Sequence, residues 1–354
     1  MPEKKQITLV YLARKAEGIA PVRAFVESYR NFPAGIDHDL LVICKGADNN
    51  YIRAVKHAFG KDDAAYLARS DEGVDIHAYL DAARQIETTW VCFLNTFSII
   101  RKSRWLEKMF AAATLPSVGL VGATASYEAL IPSIKVHIWF ISRLVNGEPM
   151  TPETLRLFAW LQAYTDGPGH TPQAPLRDFI IRLASSTLHL RWRQAQLQSR
   201  RTNLLRHYEY LLAELGDIPD FPNPHIRSNG FMVRTDFLRQ RFPELGHDKL
   251  AAYRFESGLE GLTGKILGAG LTIRMVGDDA SYDIPNWPDC KIYRSGNQEQ
   301  LLIGDNQTAN FDALSDVSRE LYRYMTWGDR AIVPEKFAHI IPDALQSSAV
   351  KETN

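Results

Sequence analysis

Over its first 125 residues the chain alternates short apolar runs with helical patterns, and nothing else in it constrains the fold as tightly. Ile7–Ala13 is a run of β-formers, followed by a polar loop, Arg14–Gly18, and a helical pattern that puts Val22, Phe25, Val26 and Tyr29 on one face. Leu40–Cys44, Ala64–Ala68, Trp90–Leu94 and Val118–Val121 read as further strands. Tyr51–Phe59, Ile76–Ile86 and Trp105–Ala113 read as the helices between them, with Tyr79, Leu80, Ala83 and Ile86 at core spacing. Strands separated by helices need crossover connections, which predicts an α/β fold with a mixed, mainly parallel sheet flanked by helices. Sheets of this kind bind ligands outside the carboxyl ends of their strands. The informative loops are therefore those after Ala13, Cys44, Ala68 and Leu94.

The 41 basic residues are balanced by 41 acidic ones, so the chain lacks the basic excess with which nucleic-acid binders displace counterions. A hydrophobic fraction of 45% excludes a disordered scaffold. Apolar stretches such as Val136–Ile141 are too short to cross a bilayer, and Met1–Gln6 leads straight into the first strand, so the chain is expected in the cytoplasm. Cys44, Cys92 and Cys290 are expected as reduced thiols that pack as small hydrophobes.

Common nucleotide and hydrolase signatures are missing. Gly264-Lys265 is followed by Ile266, so there is no P-loop, and the first loop, Arg14-Lys15-Ala16-Glu17-Gly18, has no Rossmann glycine fingerprint. HExxH, paired CxxC and Gly-x-Ser-x-Gly motifs are likewise missing. What remains is positional: Arg14 and Glu17, Lys45, Asp71 with Glu72 and Asp75, and Asn95 with Thr96 and Ser98 occupy successive loops. They suit a base, a ribose and a diphosphate, or they are charged because loops are wet.

Several pieces in order tilt that balance. Strand, loop and helix at Thr8–Gly18, then Asp71-Glu72-Gly73-Val74-Asp75 before a helix, then Trp90–Leu94 ending in a polar turn, resemble the nucleotide-sugar half of a family-two, GT-A-fold glycosyltransferase. His225-Ile226-Arg227-Ser228-Asn229-Gly230-Phe231, then Phe255–Lys265, then Ala269–Val276, are similar to the acceptor half of that family, in its bacterial surface-polysaccharide branch. The resemblance implies a GT-A-like domain with donor-side residues Tyr11, Ala13, Arg14, Glu17 and Lys45, continued by Asp71, Asp75, Asn95 and Thr96. It implies a nucleotide-sugar donor, a glycan or lipid-linked acceptor, and inversion at the sugar. The alternative is a GT-A-like module that binds without turnover or docks on a membrane-associated assembly.

One departure bears on the cofactor. Where the family has Asp-x-Asp to hold a divalent cation, this chain has Asn95-Thr96-Phe97, and Mg²⁺ or Mn²⁺ sites want a carboxylate. Metal affinity is therefore expected to be weak or absent. Either Arg14, Lys45 or the Arg-rich segment neutralises the diphosphate, or another loop supplies a carboxylate, or the domain binds without turnover.

The resemblance puts the acidic start of a helix at Glu256, the expected general base, with Glu260 one turn on as the fallback. The family's second acid falls at Ser257, so the acid pair is incomplete. After Pro222 and Pro224, an extended segment would project His225 and Arg227 together, beside Asn229 on the acceptor side; a His next to Pro is also a common structural residue.

The expected division is 1–125, the donor half; 126–220, a helical insertion; 221–340, the acceptor half; and 341–354, a tail. A helix is expected at Met150–Tyr164, and a longer pattern, one helix or two, from Leu176 to Leu215. Residues 176–208 hold seven arginines and one acid, Asp178, and no lysine. Such a face suits an anionic membrane surface or is simply solvated. Gly304–Thr308 is a polar turn before a helix expected from about Ala313 to Trp327, which could close over the sugar.

Overall fold

A computed structural model of the chain describes residues 5–148, 190–244 and 246–328. The helix expected at Met150–Tyr164, the start of the Arg-rich pattern with Arg177 and Arg182, and the tail from Pro342 lie outside the described residues. The chain divides into two compact units: Met1–Tyr127 with Pro224–Ser315, and Glu128–Asn223 with Asp316–Asn354.

The first unit is built on β1 (Ile7–Arg14), α1 (Ala20–Asn31), β2 (Asp39–Lys45), α2 (Asn49–Phe59), β3 (Ala64–Arg69), α3 (Asp75–Ala83) and β4 (Trp90–Leu94). A two-residue strand, β5 (Ile99–Ile100), leads to α4 (Trp105–Ala113), β6 (Val118–Gly122) and β7 (Ala125–Ser126). The chain re-enters the unit at β8 (His225–Ile226) and β9 (Gly230–Arg234). In the second unit, the intervening segment includes α5 (Leu130–Val145) and α6 (Leu190–Glu214). Beyond β9 come α7 (Thr235–Arg241), α8 (Lys249–Ser257), α9 (Leu262–Gly268), β10 (Thr272–Val276), β11 (Ser281–Tyr282), β12 (Ile303–Gly304), α10 (Asn306–Ala313) and α11 (Asp316–Trp327).

The sheet is mixed and mainly parallel, eight strands in the order β11-β10-β6-β9-β4-β1-β2-β3. β4, β1, β2 and β3 run parallel to one another, whereas β9 lies antiparallel between β4 and β6. β1 is buried from Ile7 through Ala13 because helices cover both faces of a central parallel strand. On one face Tyr11 stacks on Phe25 of α1, with centroids 3.9 Å apart and planes 5° from parallel. All three cysteines are free and buried, and burial pushes the Cys44 thiol up to about 11.

Two short pairings carry later segments back to the carboxyl edge of the sheet. β12 pairs antiparallel with β5, delivering Asp305 beside the turn that follows β4. β7 pairs antiparallel with β8, delivering His225 and Arg227 to the same edge. Gly122 permits the second pairing, because a Cβ there would meet the Thr124 carbonyl oxygen at 2.8 Å and the Ile226 side chain.

In the second unit α5 and α6 pack through Phe140 and Ile141 against Leu205 and Tyr208, with His137 stacked on Tyr208 at 4.8 Å. Gln198 donates to the Val145 carbonyl at 2.7 Å and Arg201 to that of Leu144 at 3.3 Å, both in the last turn of α5. Among the described residues, no helix is long and apolar enough to cross a membrane.

Candidate functional site

At the carboxyl edge of the sheet lies a cleft of about 200 Å³ whose lining includes Asp75, Tyr79, Asn95, Arg227, Asn229 and Glu256. Asp305, Asn306 and Gln307 complete it from the start of α10. The antiparallel sense of β9 makes this convergence possible, since its first residue, Gly230, pairs with Leu94, the last of β4. Asn229 and Asn95 are thereby adjacent, with the Asn95 amide donating to the Asn229 carbonyl at 3.2 Å. A wider hollow of about 450 Å³, lined by Tyr29, Arg30 and residues 33–38, lies before β2, at the opposite edge of the sheet.

Glu256 reaches the cleft from the end of a helix, not from its start. Asp248 caps α8, accepting the Ala251 amide at 2.8 Å, and the helix stops at Ser257. Glu260 is consequently exposed in a turn beyond the helix and does not share a helical face with Glu256. Glu256 Oε2 accepts from the Ser228 amide at 3.3 Å and from the Ser228 hydroxyl. Its other oxygen, Oε1, is 4.0 Å from His225 Nε2, beyond hydrogen-bond reach. His225 is itself buried.

Arg227 is largely buried, its side chain 13% exposed, with its guanidinium 4.3 Å from the Tyr293 ring centroid and 3.8 Å from Asp305 Oδ2. Burial opposes its charge, but Tyr293, Asp305 and Glu256 outweigh that and hold its pKa above the ordinary arginine value. Asp305 is fixed in turn by a reciprocal cap: its carboxylate accepts the Thr308 amide at 2.9 Å, and Thr308 Oγ1 accepts the Asp305 amide at 2.7 Å. Behind it, Arg294 donates to Gln307 Oε1 at 3.1 Å.

Lys45, expected in a loop, is the last residue of β2 and is 1% exposed, so its ammonium needs partners. It donates to the Gly73 carbonyl at 2.6 Å and to Asp75 Oδ1 at 3.2 Å. Asp75 thus enters the cleft already paired. Arg14, Glu17 and Asp71 form a separate, half-exposed group, with Arg14 3.4 Å from Asp71 and 3.7 Å from Glu17. Tyr11 and Ala13 have no exposed surface. Tyr11 acts at one remove, donating to the Thr96 carbonyl at 2.8 Å and so shaping the turn after β4. Thr96 itself is buried.

That turn does not suit a divalent cation. Asn95 Oδ1, the one ligand atom its side chain has to offer, accepts from the Phe97 amide at 3.1 Å and the Ser98 hydroxyl at 3.0 Å. Three of the nearby carboxylates are ion-paired: Asp75 with Lys45, Asp71 with Arg14 and Asp305 with Arg227. Among the described residues, no group of three or more His, Cys, Asp or Glu side chains is arranged to hold a metal ion.

Of the other lining residues, Ser228 lies inside the His225–Phe231 stretch without a role of its own, Tyr79 is expected in the core, and Asp305–Gln307 belong to the polar turn that could close over the sugar. For Asp305 a local signal exists, since Asp305-x-x-Thr308 is a helix-capping pattern. Tyr79 falls at core spacing, and periodicity cannot separate a core hydroxyl from one that lines a cleft.

No protein-family model and no curated protein matches the chain. Solved structures resemble part of it. A mannosyltransferase, PcManGT from Pyrobaculum calidifontis, in complex with GDP-Man and Mn²⁺, aligns with 12% identity and a TM-score of 0.30 over 35% of this chain and 36% of that one. TarS of S. aureus aligns with 14% identity and a TM-score of 0.28 over 33% of this chain and 21% of its own. A cytidylyltransferase from Leptospira borgpetersenii aligns with 13% identity and a TM-score of 0.27 over 33% of this chain and 53% of its own. Likeness at this level carries nothing about what the chain binds or transfers.

Proposed function

We propose that this chain is a GT-A-like glycosyltransferase that moves a sugar from a nucleotide donor to a glycan or lipid-linked acceptor, with Glu256 as general base. The observation that supports it best is the asymmetry of the Glu256 carboxylate: Oε2 is anchored twice by Ser228, and Oε1 lies beyond hydrogen-bond reach of His225. A carboxylate held in this way is oriented to take one proton. In the proposed step the acceptor hydroxyl gives its proton to Glu256 Oε1 as its oxygen attacks the anomeric carbon. The bond from that carbon to the diphosphate breaks on the opposite face, its electron pair leaves with the nucleoside diphosphate, and the sugar is inverted.

The donor's diphosphate is proposed to be neutralised by protein cations and not by a metal, since the side chains of the turn after β4 do not suit one. Arg14, in the half-exposed outer group, is the residue proposed for this role. The arginine-bearing helix α6 is proposed to meet an anionic membrane surface on which a lipid-linked acceptor is presented.

The same misfit to a metal favours a second reading, a module that binds nucleotide sugar or glycan without turnover. A screen of nucleotide sugars by thermal shift and product release, with Mn²⁺ and with a chelator, separates the two. Turnover that survives chelation is the expected result. Thermal stabilisation without turnover supports the binding module, and no response to any donor contradicts both.

A further inference from the structure

Two buried polar groups in the cleft have no partner. Tyr79, on α3, is 2% exposed and packed between Phe93 at 4.7 Å and Phe231 at 6.2 Å, and its hydroxyl makes no hydrogen bond. Asn229, 4% exposed, likewise leaves Nδ2 without a partner. The orientation of the Asn229 amide is set from behind. Arg227 donates to Thr124 Oγ1 at 3.5 Å, and that hydroxyl donates to Asn229 Oδ1 at 2.6 Å. The oxygen being taken, the NH₂ group is what remains.

Leaving such groups unsatisfied costs folding free energy, and phenylalanine would pack in place of Tyr79 without that cost. The hydroxyl is accounted for if a ligand completes it. Both residues line the cleft together with the carboxylates of Asp75 and Glu256, so uncharged donors and carboxylate acceptors face one small space. Each hydroxyl of a sugar ring both donates and accepts, which matches this mixture. Arg227, which lines the cleft, is already matched by Asp305, and Lys45 by Asp75, so neither is spare for an anionic sugar. At about 200 Å³ the cleft is smaller than pockets that enclose a drug-sized molecule, roughly 300–1,000 Å³, and suits a single ring.

We propose that Tyr79 and Asn229 form the floor of a subsite for one uncharged hexose ring, with Tyr79 Oη and Asn229 Nδ2 as hydrogen-bond donors to its hydroxyls. This rests on the reading of the cleft as a sugar site and adds the class of sugar and the residues that select it. Sequence spacing assigns Tyr79 to the core, and the subsite gives its hydroxyl a use.

The test is saturation-transfer NMR on the full chain with five probes: the methyl glycosides of glucose, galactose, mannose and N-acetylglucosamine, and glucuronic acid. At least one neutral glycoside is expected to bind, and more tightly than glucuronic acid. In Tyr79→Phe its affinity falls roughly fivefold or more, as loss of a hydrogen bond predicts, while the melting temperature stays level or rises. Unchanged affinity in Tyr79→Phe, a lowered melting temperature, preference for glucuronic acid, or no binding of any probe would each overturn the subsite. Its failure is distinguishable from failure of the transfer reading: nucleotide-sugar turnover with hydroxyl-independent sugar binding sinks the subsite alone. Hydroxyl-dependent sugar binding with no turnover of any donor sinks transfer alone.

Discussion

Ser228 donates to Glu256 from both its amide and its hydroxyl, and both bonds end on the same carboxylate oxygen. The pair joins the segment between β8 and β9 to the end of α8, so the orientation of the proposed base depends on a residue that abstracts no proton. Ser228→Ala keeps the amide bond and loses the other. We expect kcat to fall roughly tenfold with little change in donor KM, because placement and not binding is disturbed. Initial-rate kinetics on both proteins check this, and an unchanged kcat contradicts it.

Far from the cleft, His38 is expected to make the stability of the fold depend on pH. Its Nδ1 contacts the Ile36 carbonyl at 2.9 Å and its Nε2 the Tyr29 hydroxyl at 2.7 Å. Burial lowers the His38 pKa, and Lys5 adds to this, against the Ile36 carbonyl, Asp37 and Asp39, which raise it. A depressed histidine stabilises the fold above its ordinary pKa of about 6.5 and loses that contribution as pH falls from there through the lower folded value. Melting temperature should therefore drop more steeply between pH 7.5 and about 5 in the native chain than in His38→Gln. Equal slopes would remove His38 as the cause.

Gly122→Ala tests the crossing that brings His225 and Arg227 to the site. The added methyl meets a backbone carbonyl oxygen at 2.8 Å and the Ile226 side chain, so the backbone has to shift. A loss of about 1–3 kcal/mol in denaturant unfolding is expected, as for other overpacked positions. No loss would mean that β7 and β8 yield freely.

Exposed arginines on α6 are the place to test the proposed membrane contact. Arg200 and Arg206 are exposed, whereas Arg201 turns to the end of α5, and burial lowers its pKa. Reversing Arg200 and Arg206 to Glu should weaken cosedimentation with phosphatidylserine vesicles by about tenfold or more, on roughly 1 kcal/mol per basic residue near such a surface, and leave nucleotide-sugar binding intact. Equal cosedimentation would place the membrane contact elsewhere or nowhere.

Much of the sheet was legible because its strands are apolar runs punctuated by polar loops. Trp90–Leu94 is observed as read, and the first, second and sixth strands differ only at their ends. Neighbour order was not legible. Nothing local to Gly230–Arg234 says that it lies antiparallel between β4 and β6, yet that pairing brings Asn229 to Asn95. At the site, the sequence points to Asn95 and Glu256 but puts Glu256 at the start of its helix, whereas the cap, Asp248, lies eight residues upstream and makes it the end. Lys45 was expected wet in a loop; one more residue of strand pairing makes it a buried ammonium. Tyr79 was invisible as a lining residue because burial and function require the same spacing.

The central claim is that Glu256 takes the acceptor proton. The most direct test compares native chain and Glu256→Gln, following sugar transfer from the donor that the nucleotide-sugar screen identifies and measuring donor affinity alongside. Glutamine keeps the size of the side chain and an oxygen for Ser228 but cannot accept the proton. We predict a loss of roughly 10²–10⁴-fold in kcat, the range for removal of a general base, with donor affinity unchanged. Transfer by Glu256→Gln at the native rate would contradict it.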